Sequence, residues 1–174
     1  MTMFSRLIIG ASVAGLWMLS APGIPRARAH GNERGEAKAT VGAAHISIDY
    51  GRPSLKGRDP LKLLQPGQVW RIGADAPTTI ESDADLNFGG TTVPKGKHFL
   101  LARLVAAGQW TLVVSTKPFS QYGPSARIAE VPMALSEGGD SVETVTILLA
   151  QKAGSVLIEI AWGKMRLLAS FAPA

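Results

Sequence analysis

Two short stretches gather the side chains best suited to chemistry. In Gly51-Arg52-Pro53-Ser54-Leu55-Lys56-Gly57-Arg58-Asp59, three cations fall within seven positions. Arg52 and Arg58 carry planar forks that match a carboxylate or phosphate, Lys56 adds a point charge, and Gly57 lets backbone approach a ligand. In Val69-Trp70-Arg71-Ile72-Gly73-Ala74-Asp75-Ala76-Pro77-Thr78-Thr79, an aromatic, an arginine and a carboxylate stand within six residues. Neighbours on a strand point to opposite faces, so Trp70 is expected in the core and Arg71 on the other side. Brought together, Arg52, Lys56, Arg58, Arg71 and Asp75 would form a pocket for a small anionic or polar ligand. The competing role of the first stretch is structural, with its cations paired to Asp49, Asp59, Asp75 or Glu81 and the loop pinned down.

The three histidines, His30, His45 and His98, open two other chemistries. A carboxylate facing an imidazole can do acid–base work, so an enzyme using Asp75 with His45 or His98 is the alternative to a binding protein. A chain that begins at His30 would offer a free amine and an imidazole to copper, and His45 or His98 could complete a three-nitrogen site suited to Cu(II). No other cofactor is expected. The chain has no cysteine, which excludes disulfides, thiolate metal sites and a cysteine nucleophile. Glu81, Asp83 and Asp85 alternate along a short run, but without an EF-hand glycine and distal Glu they read as a solvated strand face. The serines lie in no nucleophile-elbow context, and no phosphate loop or dinucleotide fingerprint is present.

The first 29 residues read as an export signal. Arg6 precedes a 13-residue apolar run over residues 7–19, and Ala27-Arg28-Ala29 supplies a small-x-small cleavage site. Cleavage after Ala29 would leave His30 at the terminus of a periplasmic or secreted protein. Contact with a membrane would come only through an uncleaved leader, whose residues 7–25 carry no charge. Removing Arg6, Arg26 and Arg28 leaves 15 basic against 13 acidic side chains, a balance that makes nucleic acid a poor partner. Residues 30–40 are rich in Gly, Glu, Lys and Arg and are expected to form a flexible arm. A single domain of residues 41–174 would follow, long enough to bury a core without staples.

Within that domain the period of two dominates. Ile46, Ile48 and Tyr50 alternate with His45, Ser47 and Asp49, the pattern of a strand with one face on a core. Residues 98–105, 110–115, 142–150, 156–162 and 165–171 are further strand-length apolar runs, separated by glycine-bearing turns. Gly163-Lys164 is predicted to turn a hairpin within residues 156–171. Residues 60–64 offer one helical turn at most. The fold class is therefore all-β, an antiparallel β-sandwich or jelly roll of about ten short strands.

The same segments carry a family resemblance. The R-P-S-x-K-G-R run at residues 52–58, V-W-R-x-G-A at 69–74, the Pro94-Lys95-Gly96 turn and Trp110-Thr111-Leu112-Val113 resemble the exported bacterial family called domain of unknown function 2911. The likeness covers about residues 41–171 and implies an exported β-rich domain without bringing an activity. Asp75-Ala76 stands where that family has Asn-Glu, His98 replaces an aromatic, and Tyr122 replaces Trp.

Overall fold

A computed structural model describes residues 31–174. Ten antiparallel strands are joined in one sheet: β1 (Glu33–Val41), β2 (Ala44–Arg52), β3 (Val69–Trp70), β4 (Thr79–Ser82), β5 (Leu86–Phe88), β6 (Thr91–Val93), β7 (Gly96–Ala106), β8 (Gln109–Ser115), β9 (Arg127–Lys152) and β10 (Ser155–Pro173). The order across the sheet is β1-β2-β4-β7-β8-β9-β10-β5-β6, with the two-residue β3 added beside β7. No helix of the described residues is long and apolar enough to cross a membrane. The expected turn at residues 60–64 is a single 3-10 turn, Pro60–Lys62, capped by the Asp59 carboxylate, which accepts from Leu61 N at 3.1 Å.

The sheet bends so that its limbs meet around one core, and the fold is sandwich-like. Although β4, β7 and β8 separate β2 from β9 in the sheet order, the chain leaving β2 pairs with β9. Ser54 lies opposite Thr144, Val145 N donates to Pro53 O at 3.2 Å, and Leu55 N donates to Glu143 O at 2.6 Å. Buried Tyr50 reinforces the junction, its hydroxyl accepting from Ile147 N at 3.0 Å. Alternation explains the core: Ile46, Ile48, Ile80, Leu100, Leu112, Val145, Ile147, Ile158 and Ile160 turn inward from six strands. Truncating one of these, as in Ile48→Ala, would cost about 2–5 kcal/mol in lost transfer energy and cavity formation.

Three expectations require correction. Residues 33–40 of the expected arm are instead part of β1, which is paired with β2 along its full length from Glu33 opposite Arg52 to Val41 opposite Ala44. Charged residues disguise it, because its inward positions are the small Gly35, Ala37, Ala39 and Val41. They must be small: a Cβ on Gly35 would stand 2.6 Å from the Tyr50 ring. Gly163-Lys164 does not close a hairpin, since β10 runs unbroken from Ser155 to Pro173. Gly163, at φ 59°, instead sits at a bulge where residues 138–141 of β9 face only Lys164. The actual reversal is Ala153-Gly154, both at positive φ (47° and 81°), as a two-residue hairpin requires. Finally, two of the ten strands are long, β9 with 26 residues and β10 with 19, and each serves two parts of the sheet. The leader, its cleavage site and His30 lie outside the described residues.

Candidate functional site

The five charged residues expected to converge are divided between two places. Arg52, at the end of β2, is half-buried and committed to the structure. Its Nε donates to Val145 O at 3.3 Å, Nη2 to Thr144 Oγ1 at 3.0 Å, and Nη1 lies 3.4 Å from Glu33 Oε2. Arg58 turns back on its own loop, Nε donating to Leu55 O at 3.0 Å and Nη2 to Ser54 O at 2.8 Å. Lys56 has a left-handed backbone (φ 49°), and its main-chain N–H donates to Glu143 Oε1 at 3.1 Å, while the side chain is exposed. The loop is thus braced, but by main-chain carbonyls, Thr144, Glu33 and Glu143 rather than by Asp49, Asp59, Asp75 or Glu81.

Arg71 and Asp75 occupy a different surface. The alternation at residues 70–71 is as expected: Trp70 is opposite Ala102 and stacks on Trp162, with ring centres 5.7 Å apart, while Arg71 faces solvent. The guanidinium of Arg71 makes no hydrogen bond or ion pair among the described residues. It lines a cleft of about 200 Å³ with Asp75, Pro77, Phe99, Leu101, Pro118 and Phe119. Phe99 and Leu101 belong to the face of β7 turned away from the main core, and the excursion after β8, with its 3-10 turns Phe119–Gln121 and Pro124–Ala126, forms the opposite wall. Phe119 is 45% exposed and turns part of its ring to this cleft.

The turn holding this cleft is strained. Ile72, fully buried and β-branched, adopts φ 48°, and Asp75 adopts φ 60°. Such conformations cost about 1–3 kcal/mol each and persist only where surroundings enforce them. Here the Thr78 hydroxyl donates to Ile72 O at 2.7 Å, and Ala74 lies directly on the Gly51 backbone, where a Cβ would overlap Ala74 O. Asp75 Oδ2 accepts from Asn32 N at 2.6 Å and Asn32 Nδ2 at 3.1 Å. The main-chain N–H of Asn32, followed by its side-chain amide, holds the Asp75 carboxyl below its usual range, with smaller help from the charges of Arg71 and Arg34. Asp75 therefore stays ionised, with Oδ1 left for another donor.

His45 and His98 lie on opposite faces of the sheet and cannot join one ion. His98 is in register with Ile80 and Ile48 on the core side, its Nε2 2.7 Å from Pro94 O, whereas His45 shares the outer face with Ser47 and Glu81. Among the described residues no group of three or more potential ligands could hold a metal ion. The carboxylate paired with His45 is Asp83, not Asp75: its Oδ2 is 2.7 Å from His45 Nδ1 and its Oδ1 accepts His45 N at 2.7 Å. The main-chain N–H of His45 and then its ring depress the Asp83 carboxyl. Sequence reading passed over Asp83 as solvated strand surface, and only the pairing of β2 with β4 brings it to His45. The Phe99 and Phe119 walls were missed for the same reason, since residues 20 apart are joined by the return of the chain over β7.

An all-β, sandwich-like protein bearing, in a partly apolar cleft, an arginine without an acceptor among the described residues is the class these features define. A family model described as "Protein of unknown function (DUF2911)" matches residues 32–171, and the chain belongs to that family. No curated protein and no solved structure matches it.

Proposed function

We propose that this protein is an exported binding or accessory protein that captures a small anionic or polar ligand at Arg71 and Asp75. The observation that carries the reading is the availability of Arg71, a planar five-donor fork with no protein acceptor among the described residues, above apolar walls. A carboxylate on the ligand would take the fork, while Asp75 Oδ1 would accept from an amine or hydroxyl. Phe99, Pro118 and Phe119 would cover an apolar group. The cleft's 200 Å³ is below the ~300–1,000 Å³ that accommodates drug-sized molecules, which suits a small hydroxy or amino acid. The strain at Ile72 and Asp75 supports the same reading, because it fixes the two charged groups before a ligand arrives. Calorimetric titration with phenyllactate and phenylalanine tests it. Saturable binding lost in Arg71→Gln is the expected result, and equal heats for wild type and variant would overturn it. Export itself is supported by the apolar run and small-x-small site, and intact mass of secreted protein beginning at His30 is its test.

A second reading has one observation in its favour. The His45–Asp83 pair borders a groove of about 500 Å³ between β1, β2 and β4, with Ser47 on the same strand face. When Nδ1 donates to Asp83, the neutral ring keeps Nε2 as a proton acceptor. Hydrolysis of p-nitrophenyl acetate above the buffer rate, abolished in His45→Ala and sharply lowered in Asp83→Asn, would favour an enzyme over a binding protein. Rates equal to buffer would remove this reading.

A further inference from the structure

The loop between Lys56 and Gln68 covers an aromatic chamber lined in part by Trp70, which points to the opposite side of the chain from Arg71. The three tryptophans beyond residue 30, Trp70, Trp110 and Trp162, come together with Met165 beneath Pro60, Leu63 and Leu64. Trp70 and Trp162 are stacked with 9° between their planes, and the Arg58 guanidinium lies 5.3 Å from the centre of a Trp162 ring. Trp162 is only 3% exposed, yet its buried indole Nε1 has no acceptor among the described residues. A buried donor without a partner is unfavourable, and an indole N–H in a folded interior ordinarily has one. The chamber beneath the loop holds about 10 Å³, and its lining is almost wholly apolar.

The cover is built to move without loss to the sheet. Across residues 59–66 the main-chain bonds are internal to the segment or to its immediate neighbours: Lys62 N to Asp59 O at 3.1 Å, Leu63 N to Pro60 O at 3.3 Å, and Gln68 N to Gln65 O at 3.0 Å. The ties to the body stand outside it, at Leu55 N to Glu143 O (2.6 Å) and Gly67 N to Leu104 O (2.7 Å). Gly57 (φ 73°) and Gly67 (φ 89°) lie at its two ends, both in the left-handed region and both in open space. Between these points only side chains hold the segment down, and one of them, Leu63, is 44% exposed. Lifting it would break apolar contacts but no ladder bond.

We propose that residues 59–66 are a flap over a second ligand site, and that the chamber takes a small amphipathic acid. The apolar body would lie among Trp70, Trp110, Trp162 and Met165. Trp162 Nε1 would donate to an oxygen of the acid, and Arg58 would face its charge. Arg58 is not part of the chamber's own lining but lies against the Trp162 ring, and its Nε and Nη2 are held by Leu55 O and Ser54 O, which orients the fork and leaves Nη1 without a protein acceptor among the described residues. This site does not depend on the Arg71 cleft, and the two are separable by mutation.

The experiment uses 8-anilinonaphthalene-1-sulfonate, an aromatic anion that reports burial by fluorescence, with decanoate as competitor. Wild type should bind one equivalent with energy transfer from tryptophan, and decanoate should displace it. Trp162→Phe keeps an aromatic ring but removes the donor, and Arg58→Gln removes surface charge without entering the core. Each should weaken both compounds at least tenfold, whereas Arg71→Gln should bind them as wild type does. Hydrogen exchange supplies an independent readout: amides at residues 61–63 should exchange faster than those of Leu55 and Gly67, and slow when decanoate is added. Absence of saturable binding, displacement unaffected by both Trp162→Phe and Arg58→Gln, or exchange in the flap unchanged by decanoate would each overturn the proposal.

Discussion

Arginines of the loop after β2 and the arginine after β3 share a residue type and neighbouring surface, yet the fold treats them oppositely. Arg52 and Arg58 point their forks at carbonyl oxygens of residues 145, 55 and 54, with Thr144 and Glu33 completing Arg52's shell. Arg71 has no hydrogen-bond acceptor among the described residues and lines the cleft with Asp75. A guanidinium near a departing strand meets unpaired carbonyls, because the ladder ends there and those oxygens need donors. On the turn after β3 the donor to the Ile72 carbonyl is Thr78 and that to the Asp75 carboxylate is Asn32, so neither draws on Arg71. A cluster of cations in a sequence is therefore weak guidance to ligand binding until the local carbonyls are counted.

The sharpest way to break this contrast is at Gly51, where the two regions touch. Gly51→Ala would drive a methyl into the Ala74 carbonyl and lift the strained turn from β2. The expected destabilisation is about 3 kcal/mol or more, measured by urea unfolding, because backbone rather than a flexible side chain must give way. Arg52→Gln comes next. It removes donors from Val145 O, Thr144 and Glu33 at a half-buried position and should cost about 2 kcal/mol, the scale of hydrogen bonds to a charged group. Arg58→Gln, on an exposed side chain, should cost about 1 kcal/mol or less, since water replaces much of what it loses.

Asp75 gives the comparison a pH dependence. Its carboxyl is held below the ordinary value in the folded chain by Asn32, so its contribution is present above pH ~4, the unfolded carboxylate range. It is lost as pH falls through the lower folded value. Asp75→Asn should therefore narrow the difference in urea midpoint between pH 6 and pH 3, and an unchanged difference would show that the Asn32 contacts add nothing to stability. The smallest effect on stability belongs to Arg71→Gln, expected within about 0.5 kcal/mol of wild type. If that substitution costs as much as Arg52→Gln, the distinction between braced and available arginines fails.

Much of the architecture was legible before the chain was folded. Ile46, Ile48 and Tyr50 are inward residues of β2, and the runs at 98–105 and 110–115 fall in β7 and β8. Trp70 and Arg71 point to opposite sides for the reason alternation gives. The errors also have a common origin. β1 was hidden because close packing on Tyr50 demands glycine and alanine, which carry little hydrophobic signal. Gly163 fits a turn as well as a bulge in the sequence, because a left-handed glycine serves both and the neighbouring strand decides which.

Local patterning determined what most segments of this protein are: period two makes strands, glycine and proline end or bend them, and the absence of cysteine leaves the core to apolar side chains. Which polar groups meet was decided only in three dimensions. Asp83 found His45 through the β2–β4 register, Arg52 found residues 144 and 145 through the return of β9, and Trp162 is buried against Trp70 with its Nε1 lacking an acceptor among the described residues. Alternation is a property of neighbouring residues along the chain and survives any arrangement of strands. Pairing across tens of residues depends on strand order and register, which no single segment contains.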